Sequence, residues 1–194
     1  MNLEIVKDMT AMARRAADLI VQAIHVNPTL VLGLATGSTQ IRLYKELVRR
    51  YRQRQVDFAG VRTFNLNEYV GIAADHSHSY RYFMDNHFFR HVNLQKTNIY
   101  MLAGTTSNPT RHCETYEENI RLAGGIDLQL LGLGVNAHIA FCEPGIPFHS
   151  ETTLVDLDKE TMRQNSDGRF YKREEEVPKQ ALTMGLRTIM AARK

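Results

Sequence analysis

The 194-residue sequence predicts an α/β fold: a Rossmann-like parallel sheet with helices on both faces, in three layers. Three observations carry that expectation. Met9, Met12, Ala13, Ala16, Ile20, Ala23 and Ile24 recur at helical spacing and share one face. Leu30 to Leu34 and Ile126 to Gly132 are short, near-continuous apolar runs that suit strands covered on both sides. The two kinds of segment alternate, which argues for parallel strands joined by crossover helices.

The elements follow in order. Leu3 to Val6 reads as a short strand. Asp8 to His25 reads as an amphipathic helix, stopped at Asn27-Pro28 because the residue before a proline is steered out of the helical region. The strand Leu30 to Leu34 leads through a small-residue loop, Ala35 to Thr39, into a helix with Tyr44, Leu47, Val48 and Tyr51 on one face. Val61 to Leu66 reads as a strand, Ser79 to Phe89 and Arg111 to Leu122 as helices, with a short strand near Ile99. Ile126 to Gly132 reads as a strand ending in a glycine turn, and Leu186 to Lys194 as a helix. With no repeat, low-complexity tract or linker, residues 1–194 are expected to form a single domain.

Bulk properties exclude several classes. Hydrophobic residues at 43% and charged residues at 23% are ordinary for a globular protein and argue against a disordered chain. A net charge of +3, with basic residues spread along the sequence, gives no reason to expect a nucleic-acid partner. Cys113 and Cys142 supply neither a disulfide framework nor metal-ligand spacing, so a reducing, cytoplasmic setting is expected. The start, Met1-Asn2-Leu3-Glu4, lacks a basic lead and a long apolar run, so neither a signal peptide nor membrane attachment is expected.

Three segments follow strands at their carboxyl ends, where open α/β sheets bind ligands. The first is Gly33-Leu34-Ala35-Thr36-Gly37-Ser38-Thr39. Gly37 lets the backbone turn without a Cβ clash, and helix-start amides with the hydroxyls of Thr36, Ser38 and Thr39 suit a phosphate. The alternative is a plain strand-to-helix turn with a Ser/Thr cap. It is neither a Walker A loop nor a G-x-G-x-x-G loop. The second is Phe64-Asn65-Leu66-Asn67-Glu68-Tyr69-Val70-Gly71, in which Asn67 and Glu68 could also simply cap a turn. The third is Gly132 to Gly145, where His138 is followed by Glu143, a plausible acid/base pair; a lone histidine can equally be structural. Glu143 beside Ile139, Ala140 and Phe141 needs a partner or a function.

Taken together and in this order, the three segments resemble the glucosamine-6-phosphate deaminase/isomerase family. Ser79-Tyr80, Phe83-Met84, Phe88-Phe89, Ile126-Asp127-Leu128, Asn165 to Phe170 and Val177 to Gly185 resemble it too, so the likeness covers essentially the whole chain. The resemblance implies conversion of D-glucosamine 6-phosphate and water to D-fructose 6-phosphate and ammonia, with neither metal nor organic cofactor. It also implies a sugar-phosphate partner and a possible homo-oligomer. By position it implies that His138 opens the sugar ring, that Glu143 and Asn136 orient it, and that Thr36, Gly37, Ser38, Thr39 and Arg169 hold the phosphate. A guanidinium suits that bidentate task.

The chain departs from the family's pattern at four places. Asn67 stands where the family has a proton-shuttling aspartate, and an amide has no basic lone pair to collect a carbon-bound proton. Ala137 replaces a glycine, which matters if the backbone there needs positive φ. Cys142 replaces an asparagine. Family members continue past the position of Lys194 with a further strand-helix unit, so an apolar groove or bare strand edge is expected beside Leu182, Met184, Leu186, Ile189 and Met190. The alternatives are a relative that binds sugar phosphate without turnover, and a galactosamine-6-phosphate isomerase/deaminase; 6-phosphogluconolactonases are more distant in the Asn67 block.

Overall fold

The computed structural model describes residues 3–134, 137–158, 161–163 and 177–194. Helix α1 spans Met9–Val26, its first turn closed by the Asp8 carboxylate accepting from the Ala11 amide at 2.8 Å. Strand β1 is Val31–Leu34, helix α2 Gln40–Arg52, strand β2 Arg62–Asn65, strand β3 Asn67–Tyr69 and helix α3 Tyr80–His87. Strand β4 (Ile99–Tyr100), helix α4 (Pro109–Leu122) and strand β5 (Leu128–Gln129) follow. Strands β6 (Thr153–Asp156) and β7 (Gln180–Thr183) and helix α5 (Leu186–Met190) complete the described elements.

The main sheet is parallel, in the order β4-β2-β1-β5. Side chains alternate across it and feed two cores. Leu32 and Leu34 face α1, α2 and α3, packing with Ile20, Tyr44, Leu47 and Phe88. Val31, Phe64 and Leu66 face the other way, onto Tyr116 and Ile120 of α4 and Ile189 of α5. The expected three-layer arrangement is therefore observed. Stacked rings help to fix the second layer: Phe64 lies flat on Tyr100 at 4.4 Å, with Tyr116 edge-on at 5.6 Å.

A second sheet was not expected from the sequence. β3, β7 and β6 pair antiparallel, with Asn67 opposite Thr183 and Thr183 opposite Thr153. β6 is half-exposed with alternating burial, and its short polar-apolar pattern carries little signal in isolation.

Three local expectations need correction. Leu3 to Val6 is irregular chain rather than a strand: Leu3 and Ile5 are exposed, and among the described residues no strand pairs with them; the segment is tied through Glu4 to Arg15. The run from Ile126 to Gly132 is assigned as a strand only at Leu128–Gln129, although amides of Asp127 and Leu130 also donate to Val31 and Gly33 of β1. Helix α5 ends at Met190 because the chain turns to lie against β5: the Arg193 amide donates to the Ile126 carbonyl and the Gln129 amide to the Lys194 carbonyl. Leu182, Met184 and Ile189 are buried as expected, whereas Met190 is 72% exposed. The expected bare edge is not found at β5 itself, where the Gln129 amide is taken by the Lys194 carbonyl; past the strand, Leu131 and Leu133 are exposed. Among the described residues no helix is long and apolar enough to cross a membrane.

Candidate active site

β2, β1 and β5 are neighbours running in one direction, so the segments after them open on the same edge of the sheet. Each of the first two strand ends is pinned by a tyrosine from a different helix layer. The Tyr44 hydroxyl of α2 donates to the Ala35 carbonyl at 2.6 Å, and the Tyr116 hydroxyl of α4 donates to the Asn65 carbonyl at 2.7 Å. Both phenols are fully enclosed, and burial lifts both well above the usual tyrosine range, so they act as neutral props.

The loop Thr36 to Thr39 leaves β1 and enters α2. Gly37 has φ +133°, which side-chain-bearing residues rarely adopt, and the Gln40 amide N–H closes the turn onto its carbonyl. Among the described residues no side chain caps α2, so the plain Ser/Thr cap is not what the loop forms. Thr39 instead donates its hydroxyl to Gln40 Oε1 at 3.1 Å. The Gln40 side chain is buried between two glycines: a Cβ at Gly37 would fall 2.8 Å from its Oε1, and one at Gly132 3.0 Å from its Nε2. Gln40 thus spans the phosphate-type loop and the turn after β5, a role that nothing in its local sequence signals.

Asn67 is buried at the start of β3. The adjacent Glu68 is buried too, and its carboxylate points away toward the N-terminus of α3. It accepts from the amides of Tyr69, Tyr80 and Arg81, each at 3.0 Å, and from the Ser79 hydroxyl at 2.8 Å. Burial, the largest influence, raises the Glu68 carboxyl above its ordinary range against these donors. The capping reading therefore holds for Glu68, which anchors helix α3.

His138 and Glu143 come together. Nδ1 lies 3.9 Å from Glu143 Oε2, longer than a hydrogen bond but within ion-pair range when the ring is protonated, and both groups are part-exposed. The Thr161 hydroxyl donates to the other carboxylate oxygen, Oε1. The ring lies over Gly134: a Cβ there would be 2.4 Å from the imidazole, and the Gly134 amide donates to the His138 carbonyl at 2.9 Å. Ala137 does adopt positive φ, at +66°, so the backbone requires the conformation that favours glycine. Cys142 is buried, with its thiol donating to the Met184 carbonyl at 3.2 Å and pushed up to about 11 by burial, which makes it unreactive packing.

β7 links the two chemical segments. The Phe141 amide donates to Thr183 Oγ1 at 3.2 Å, Thr183 sits opposite Asn67, and the Met184 amide donates to the Leu66 carbonyl at 2.7 Å. Thr183 and Thr161 are site-building residues that sequence reasoning missed. Asn136 and Arg169 lie outside the described residues. Among the described residues no group of three or more His, Cys, Asp or Glu side chains could hold a metal.

Known proteins align with this arrangement. Residues 7–194 match the family model of glucosamine-6-phosphate isomerases/6-phosphogluconolactonase. A glucosamine-6-phosphate deaminase of Thermoanaerobacter sp. (strain X514) is 44% identical over all of this chain and 76% of its own length. That of Clostridium botulinum (strain Loch Maree / Type A3) is 45% identical over all of this chain and 79% of its own. A solved monomeric glucosamine-6-phosphate deaminase of the NagB superfamily superposes with a TM-score of 0.96 at 34% identity, over 99% of this chain and 79% of that one. A 6-phosphogluconolactonase from Thermotoga maritima shares the fold at a TM-score of 0.71 and 17% identity, over 94% of this chain and 76% of that one. With the motifs in the family's order and the fold matched over nearly its full length, the chain belongs to the glucosamine-6-phosphate isomerase/6-phosphogluconolactonase family.

Proposed function

We propose that the chain acts on D-glucosamine 6-phosphate at this edge of the sheet, yielding D-fructose 6-phosphate and ammonia, with the proton shuttle weakened by Asn67. The observation that carries the reading is the His138–Glu143 pair, held 3.9 Å apart on the same sheet edge as a strand-to-helix loop suited to phosphate. In this reading the substrate phosphate sits on the amides at Gly37 to Thr39 with the hydroxyls of Thr36, Ser38 and Thr39. Arg169 is the further cation carried over by family position. His138 takes the proton from the anomeric hydroxyl and returns it to the ring oxygen, opening the sugar. A proton must then leave C2 and arrive at C1, after which the C2 imine is hydrolysed and ammonia departs.

That middle step lacks a base. Asn67 occupies the position and cannot take the proton. Glu68, the neighbouring carboxylate, is buried and held by the Tyr69 amide and three donors at the start of α3, so it cannot stand in. This supports a second reading: the protein binds and opens the sugar phosphate with little turnover. Ammonia release measured on wild type and on Asn67→Asp separates the two. A positioned general base contributes about two to four orders of magnitude, so Asn67→Asp should raise kcat by a substantial part of that. Wild-type turnover equal to that of the aspartate variant would remove Asn67 as the limit. Absence of both turnover and binding in the two proteins would remove the sugar-phosphate reading.

A further inference from the structure

Basic residues that are dispersed in the sequence are gathered by the fold at a second place. Lys45, Arg49 and Arg52 stand on α2 at spacings of four and three residues, which puts them on one face over about 10 Å of helix. Opposite them are Asn86 and His87 of α3 and His91 of the 3-10 turn that follows. Between them lies an open groove of about 470 Å³, and no carboxylate takes part in its lining. Arg49 pairs with Glu46, which lies outside the groove, at 2.6 Å. Among the described residues Lys45 and Arg52 make no ion pair.

Arginines in the last turn of α2 have an ordinary reason to be there, since cations favour the C-terminal end of a helix. The same reason covers His87, the last residue of α3, whereas Lys45 sits in the middle of α2 and lies outside it. The His87 ring packs on Phe83 at 4.6 Å, and its charged form is disfavoured first by burial and then by Lys45 and His91. The His91 Nε2–H donates to the Asn86 carbonyl at 2.8 Å, so Nδ1 has a proton to offer an anion when the ring is in its doubly protonated, cationic form. Apart from the two imidazoles no aromatic ring lines the groove, so it offers nothing for a base to stack on. Its donors and charge suit an anion such as phosphate, without a base attached.

We propose that this groove is an anion site for a small molecule bearing two phosphate groups, an inorganic diphosphate or a sugar bisphosphate. It lies along the C-terminal half of α2, whereas the loop Thr36 to Thr39 lies at the other end of that helix. The test is calorimetric titration of the full chain with inorganic pyrophosphate at low salt. It compares wild type, the double variant Lys45→Glu/Arg52→Glu, and the loop variant Ser38→Ala. Both charge reversals are at exposed positions, so melting temperatures should fall by no more than the few degrees that an unfavourable charge at the end of α2 costs. Wild type should bind, the double variant should bind at least about tenfold more weakly, and the loop variant should bind like wild type, with affinity falling as salt rises. The ring proton signals of His87 and His91 should shift in unmodified protein on the same titration. Equal affinity in the double variant, loss of binding in the loop variant alone, no binding at millimolar pyrophosphate, or unmoved histidine signals would each overturn the assignment.

Discussion

Two glutamates beside the same sheet edge have different fates. Glu68 is buried and meets three backbone amides and one hydroxyl, one amide from its neighbour Tyr69 in β3 and the rest at the start of α3. Glu143 is part-exposed, lies outside any regular element, and faces an imidazole and a threonine hydroxyl. Backbone donors fix a carboxylate where the fold needs it, at full desolvation cost. Side-chain partners near solvent leave a carboxylate able to respond to a change of charge on its neighbour. The comparison teaches that an acid adjacent in sequence to a motif can belong to the scaffold, whereas one five residues beyond a histidine can be left facing that histidine near solvent.

The strongest way to break the comparison is on the Glu143 side. In the Asn67→Asp background, where turnover is expected to be measurable, His138→Asn should lower kcat by about two to four orders of magnitude. Its melting temperature should stay near that of the parent, because the ring is part-exposed. A kcat within a few-fold of the parent would make His138 structural.

On the other side, Glu68→Gln should cost about 1–3 kcal/mol, because the amide must turn an N–H toward groups that are themselves donors. For a chain of this size that is about 2–4 °C in melting temperature per kcal/mol. The pH dependence sharpens the point. The folded carboxyl binds its proton up to a higher pH than the unfolded one. Its stabilising contribution is therefore complete below the ordinary glutamate range and declines as pH rises through the raised value. Melting curves across that window should fall with pH in wild type relative to Glu68→Gln. Parallel curves for the two proteins would show that Glu68 titrates like an exposed acid.

The smallest expected effect concerns the approach to His138. Ala137→Gly relieves a left-handed backbone cost of about 1–2 kcal/mol but adds unfolded-state entropy worth about half of that. The net gain should be under about 1 kcal/mol, visible as a small rise in melting temperature. A decrease would mean that the methyl group packs favourably, in contrast to what its exposure indicates.

Local pattern was sufficient for much of this molecule. Helical spacing in α1 and α2, apolar runs at β1 and β2, and the proline stop at Asn27 concern neighbouring residues, where the period of a segment reports directly on its environment. The same holds for the loop at Gly37 and the His138–Glu143 pair, since both lie within one short segment beside a glycine turn. Tertiary structure alone decided the antiparallel sheet of β3, β7 and β6, the bridging of two loops by Gln40, the link from Thr183 to both Asn67 and Phe141, and the turning of Glu68 into α3. It also gathered Lys45 and Arg52 opposite His87 and His91. Each of these depends on register between segments far apart in the chain. Strand register is chosen by packing on both faces and by pairing of backbone groups, and no local period records that choice.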